Sequence, residues 1–274
     1  MIIFLEAIIF LSVALVIGVI GNIAGIGGGI IIMIVLLFFF KVDPVTASGM
    51  SLVTIFVSSV FGTISNMKQQ AVDSHLMAAI GVPASLGVLA GSYLVTHIKD
   101  SSFNYIFSFV SIAIGLFSLL ITRSDRKNKI IEDGTFAMGN FKSNTNLLKG
   151  KYLPAQHLLA FVAGVAGGFL GIGIGGIVGT YLTAIRKINP KIAFSTTLSA
   201  MVFTSLIGSS YHLASIKPAT ELLTLIISLA IGAAMGALVG SNLSSRIQFV
   251  KLRLAQGYII VSLGLVTLLF SLLT

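Results

Sequence analysis

Two glycine clusters carry the densest chemical signal in the chain. Gly25, Gly27, Gly28 and Gly29 form one, and Gly171, Gly173, Gly175 and Gly176 the other, each in the middle of a long apolar run. A helix that starts at such a cluster presents N–H groups without intrahelical partners and the positive end of its dipole, and glycine leaves an anion free to approach them. Half-helices starting near Ile30 and Ile177 are expected to supply two such ends. Neutral polar side chains lie close by in sequence: Asn22, then Ser48, Ser51, Thr54 and Ser58, then Ser195, Thr196, Thr197, Ser199 and Thr204. Spacings of three, three and four put the second group on or near one helix face, a stripe that can replace the hydration shell of a small oxyanion. A substrate-binding set is therefore expected from both glycine clusters, Asn22, Ser48, Ser51, Thr54, Ser195, Thr196, Thr197 and Ser199. The competing uses are structural. Ser and Thr in apolar helices bond back to their own carbonyls. The GxxxG spacings Gly25/Gly29, Gly87/Gly91, Gly171/Gly175 and Gly236/Gly240 also suit close helix packing. Packing is the favoured reading for the second and fourth pairs, and binding for the mid-run clusters.

Other reactive groups are sparse. Glu6 sits near the chain start, and His75, His97, His157 and His212 fall at or near the ends of apolar runs, where interfacial positions are expected. No carboxylate or basic side chain falls mid-run, so neither a proton relay nor a sodium-binding carboxylate is legible, and a proton or sodium ion as coupling partner stays open. The chain has no Cys, and no metal or cofactor is expected. HExxH, G-x-S-x-G and Walker A patterns are absent, and Gly171-x-Gly173-x-x-Gly176 matches a dinucleotide fingerprint only as a string because no strand precedes it. His212 with Ser209 or Ser210 is the crude candidate for an intramembrane hydrolase, and the expectation is that the protein is not an enzyme.

The elements that must position these groups follow from composition. Of 274 residues, 56% are apolar and 9% charged, with a mean hydropathy of +1.05. A soluble domain carries about 25% charged residues, so this chain is read as a polytopic all-α membrane protein in a lipid bilayer. Seven of its 17 Lys/Arg lie between Arg123 and Lys151 and most others punctuate the apolar runs, a distribution that sets membrane orientation and argues against nucleic acid. Eight segments are expected, near 2–40, 44–67, 75–96, 103–122, 154–185, 190–212, 220–243 and 252–273. The first and fifth exceed the ~20 residues that span a bilayer and are broken by the glycine clusters. The start of the chain lacks a basic n-region and is read as a retained segment.

The segments repeat. At an offset of 146, Val42-Asp43-Pro44 falls on Ile188-Asn189-Pro190, Ala47 on Ala193, Leu52 on Leu198, Ser59 on Ser205 and Gly62 on Gly208. At an offset of 149, Gly87, Gly91 and Ser92 fall on Gly236, Gly240 and Ser241. The expected organisation is a four-segment repeat over 1–122, a basic linker over 123–153 and a second repeat over 154–274. Asp43-Pro44 and Asn189-Pro190 read as helix starts, an N-cap followed by proline. If the broken segments enter and return on one side, Lys41, Lys99 and Lys217 face the other 14 basic residues across the membrane, which favours inverted repeats with the linker in the cytoplasm. Full crossing would give parallel repeats and 9 against 8, with no bias. The linker's charges decide this comparison.

The paired units, each a glycine-rich break followed by an Asp/Asn-Pro helix start (Gly25–Pro44 and Gly171–Pro190), resemble the sulfite exporter TauE/SafE family of membrane transport proteins over almost the whole chain except the linker. The resemblance implies transport of a sulfur-containing or organic anion, of the sulfite, sulfonate, sulfoacetate or thiosulfate class, across the cell membrane. It places the family's glycine motifs on Gly25, Gly27, Gly28 and Gly29 and on Gly171, Gly173, Gly175 and Gly176. The second copy departs from three consecutive glycines, with Ile174 interposed, so unequal contributions are expected. An alternating-access carrier is the leading expectation, and an anion channel on the same tips is the alternative. Direction of transport and oligomeric state are not legible.

Overall fold

The computed structural model describes residues 2–25, 27–69, 71–98, 100–127, 153–216, 220–243 and 249–273. Most of the 123–153 linker, with Lys99, Lys217 and Arg246, lies outside the described residues.

Ten α-helices make up the described chain: α1 (Ile2–Ala24), α2 (Gly29–Ile34, continued as a π-helix over Val35–Phe39), α3 (Pro44–Lys68), α4 (Ser74–Val95), α5 (Asp100–Lys127), α6 (Leu153–Leu170), α7 (Gly175–Ala184), α8 (Pro190–Ser215), α9 (Thr220–Leu243) and α10 (Phe249–Leu273). Among the described residues there is no strand, and seven helices are long and apolar enough to cross a bilayer. Helices satisfy their backbone groups internally, which a hydrocarbon environment requires. Large apolar side chains such as Val82, Leu86, Phe109, Leu120, Ile227 and Leu269 are exposed on the outer helix faces, where lipid covers them.

Both long segments are broken where the glycines fall. The re-starting helices begin at Gly29 and Gly175, one and two residues ahead of the positions expected. The expected caps form: Asp43 Oδ1 accepts from Thr46 N at 3.0 Å, Asn189 Oδ1 accepts from Lys191 N at 2.9 Å, and each is followed by proline. Both short helices also end alike. Val42 N donates to Leu36 O and Ile188 N to Leu182 O, each at 3.0 Å, across lysines held at positive φ, Lys41 (51°) and Lys187 (53°).

Helices pair across the two halves. α1 packs on α9, α6 on α4, α3 on α8 and α5 on α10, with further contacts of α3 with α9 and α4 with α8. The α3 and α8 helices run antiparallel, Gly49 lying beside His212 and Gly62 beside Leu198. By the same criterion α5 and α10 are antiparallel, Gly115 beside Val261 and Gly257 beside Leu119. In contrast α4 and α6 are parallel, as are α1 and α9. These parallel pairs touch backbone to backbone. A methyl group at Gly87 or Gly91 would strike the carbonyl oxygen of Phe161 or Val165, and one at Gly236 or Gly240 that of Leu15 or Val19. The packing expected for these pairs is therefore what they do.

One expectation fails. His75 and His97 are exposed and His157 is half-buried, but His212 is fully buried. Helix α8 continues to Ser215, three residues past the expected end, and Gly49 of α3 leaves the room that the imidazole fills.

Candidate functional site

The two glycine tips meet where α3 crosses α8. An added side-chain carbon at Gly27 would stand 2.6 Å from the Met201 methyl group, and one at Gly173 2.5 Å from the same methyl; both would also approach Ile55. Ile55 and Met201 are themselves partners at the 146-residue offset. Gly25 lies on Phe194 and Gly171 on Ser48, again offset partners. Gly27 and Gly173 have φ of +72° and +71°, a region costly for any residue with a Cβ, so the tips need glycine for backbone conformation as well as for space. One hydroxyl joins the tips: Ser51 Oγ lies 2.6 Å from Gly171 O and 3.3 Å from Gly29 O.

Helix α2 starts from Gly28 and α7 from Ile174, and neither start has a side-chain cap. Residues of both starts border one small cavity lined by Gly21, Gly28, Gly29, Gly173 and Gly176 together with isoleucines, among them Ile20, Ile31, Ile114, Ile177, Ile259 and Ile260 from five helices and Ile172 from the turn between α6 and α7. Its electrostatic character comes from the backbone, since no charged or hydroxylated side chain is among the lining residues. Uncapped helix starts facing an apolar enclosure can hold a small anion, because the low dielectric strengthens each N–H contact.

The expected polar residues are deeply placed but engaged elsewhere. Asn22 Nδ2 donates to Gly18 O at 3.0 Å and to Ser58 Oγ at 2.7 Å. Thr54 bonds back to Met50 O, Thr197 to Ala193 O, Ser199 to Ser195 O and Thr204 to Met201 O. Thr196 Oγ1 accepts from Asp73 N at 3.0 Å, holding the start of α4 against α8. Ser48 and Ser195 are buried, and the Ser48 hydroxyl has no partner. Of the expected glycines, Gly28, Gly29, Gly173 and Gly176 line the cavity, whereas Gly25, Gly27, Gly171 and Gly175 shape the turns and helix start behind it. The isoleucines of α5 and α10 escaped the sequence reading, since nothing distinguishes a cavity-facing isoleucine from a lipid-facing one. His212 and Ser209 are not joined: His212 Nε2 lies 3.2 Å from Gly168 O, and Ser209 Oγ donates to Leu206 O.

The sequence profile of a family described as "Sulfite exporter TauE/SafE" matches residues 10–270. The chain belongs to the sulfite exporter TauE/SafE family. Both glycine tips and every cavity-lining residue lie inside the matched span. Another protein similar to this TauE/SafE chain is the "Probable membrane transporter protein YunE" of Bacillus subtilis (strain 168), 26% identical over 215 residues that cover 76% of this chain and 78% of that protein. No solved structure matches. Family membership and the spanning helices together make this TauE/SafE protein a multi-pass membrane protein of a transporter family.

Proposed function

We propose that this TauE/SafE protein is a secondary carrier that moves a small sulfur-containing or organic anion, of the sulfite, sulfonate, sulfoacetate or thiosulfate class, across the cytoplasmic membrane by alternating access, without catalysis. The observation that carries the reading is the meeting of two uncapped helix starts at one glycine-lined cavity. Broken helices that converge on a central site are the means by which repeat-built carriers hold substrate without committing a charged side chain. The substrate set includes the tip glycines with Asn22, Ser48, Ser51, Thr54, Ser195, Thr196, Thr197 and Ser199, whose hydroxyls and amide would turn to the anion as the halves rock. Each helix end supplies roughly half a unit of positive charge, so two balance about one negative charge. A dianion would remain poorly compensated in so apolar a site.

Counter-flow tests both points. Proteoliposomes preloaded with unlabelled sulfite should take up labelled sulfite faster than empty ones, and a sulfonate monoanion should compete better than sulfate. Flux without trans-stimulation would defeat the carrier, and stronger competition by sulfate would defeat the charge argument.

The repeats 1–122 and 154–274 are taken to be inverted, joined by a cytoplasmic linker over 123–153. Supporting this are the antiparallel α3 and α8 and the antiparallel α5 and α10, since equivalent helices of parallel repeats would run the same way. The chain has no native Cys, which makes labelling direct. In intact cells Asn140→Cys and Lys187→Cys should both be shielded from impermeant thiol reagents, whereas Ile216→Cys should react. Labelling of Lys187→Cys from outside would overturn the inverted arrangement, and labelling of Asn140→Cys would overturn the orientation.

A further inference from the structure

His212 is a titratable side chain sealed inside the spanning bundle, with a relative exposure of 0%. Its Nε2 lies 3.2 Å from the carbonyl oxygen of Gly168, three residues before the Gly171 turn, and its Nδ1 has no partner. The space is built for it: a side-chain carbon at Gly49 would lie 2.9 Å from His212 Cβ. The residue beside Gly49 is Ser48, whose own unpartnered hydroxyl belongs to the residue that packs against Gly171. Two unsatisfied polar groups thus bracket the stretch of α6 that leads into the second tip. Buried polar atoms normally find partners, and a group left without one calls for a functional account.

The titratable groups nearest His212 on the helices around it are aromatic. On α4 they are Tyr93 and His97, both exposed, their rings tilted against each other with centroids 4.4 Å apart. Tyr211 precedes His212 on α8, its ring edge-on at 6.1 Å. No carboxylate, lysine or arginine of α3, α4 or α6 contacts the imidazole among the described residues. The 146-residue offset puts Asn66 at the equivalent place in the first half, so that half supplies no matching titratable group.

We propose that His212 is the proton-binding site of the carrier and that one proton travels with one anion. In the conformation described, neutral imidazole donates Nε2–H to Gly168 O and its buried Nδ1 has no protein partner. A proton added to Nδ1 would create a buried cation with no acceptor, so the protonated form requires a conformation in which Nδ1 reaches water or the bound anion. Proton occupancy and the position of the α6–α7 tip are therefore linked: whichever conformation admits the proton is stabilised by it. The proton enters Nδ1 from water on one side and returns to water on the other, and while bound it offsets the charge of the anion that travels with it. This inference rests on the carrier reading above.

The test uses purified full-length protein in proteoliposomes with labelled sulfite, and compares wild type with His212→Gln. Glutamine can keep an N–H on Gly168 O but takes no proton, and sulfite's own acid–base chemistry is common to both proteins. Wild type should accumulate sulfite by about tenfold more per pH unit of imposed gradient than it does at equal pH, one proton per anion. In His212→Gln whatever sulfite exchange remains should be indifferent to the gradient beyond sulfite's own protonation. Equal gradient dependence in the two proteins overturns the proposal and leaves the carrier intact, whereas wild type without any sulfite counter-flow removes the carrier reading and this inference with it. Should the variant exchange nothing at all, ¹³C NMR of the wild-type histidines decides. One neutral imidazole that gains a proton when sulfite is added supports the assignment, and four histidines unchanged by sulfite overturn it.

Discussion

Gly176→Leu is expected to abolish sulfite binding and counter-flow while leaving the protein folded. Gly176 is the second residue of α7, lies on the cavity wall and is not among the glycines held at positive φ, so a side chain there costs no backbone strain. An isobutyl group at that position fills the enclosure and covers the leading N–H donors of α7. A hydrogen bond to a charged partner contributes about 1.5–3 kcal/mol, and losing two reduces affinity by roughly a hundredfold or more. Gly28→Leu looks equivalent in the sequence but is a poorer probe. Gly28 has φ +75°, and a side-chain carbon would stand 2.5 Å from Ile17 Cγ2, so the fold would fail along with the site. The measurement is labelled-sulfite exchange beside thermal unfolding in detergent, with Gly176→Ala as the graded variant. Unimpaired exchange in Gly176→Leu would show that the anion does not pass through this cavity.

The contrast between Gly28 and Gly176 shows how far the sequence reaches. Glycine clustering located both tips and proline after Asp43 or Asn189 located the helices that follow, because each signal is local: a backbone conformation or a cap needs only its own few residues. Which glycines line the cavity is not local. It depends on how the tips lean against Met201 and Ile55, two residues that sequence reading passes over as ordinary core. The hydroxyls were visible in the sequence, yet Thr54 of the stripe and Thr197 and Ser199 of α8 each have a carbonyl one turn back on their own helix, and that bond forms in the absence of a better acceptor. His212 was read as interfacial because it falls at the end of the apolar run 190–212. Burial there comes from Gly49, 163 positions away in the chain, and no periodicity reports it. The exchange of partners between halves, α1 with α9 and α6 with α4, was equally hidden, since an apolar helix face looks the same whichever half it meets.

That exchange sets the largest stability effect. Gly91→Leu should lower the unfolding temperature by roughly 10 °C or prevent folding altogether. Overpacking an ordinary core costs about 1–3 kcal/mol because side chains can shift. At Gly91 the obstacle is the carbonyl oxygen of Val165 and the amide of Phe169, main-chain atoms of a helix that cannot move without parting α6 from α4. Gly240, its partner at the 149-residue offset, faces the carbonyl of Val19 in α1, so Gly240→Leu should cost about as much. Leu86→Ala on the exposed face of α4 supplies the reference, because its side chain meets lipid and its loss leaves the helix contacts in place. Thermal unfolding of the three variants in one detergent separates the cases. A large loss at Gly91 with none at Gly240 would mean that only one of the two parallel helix pairs holds the halves together, whereas equivalent backbone contacts at both predict equal losses.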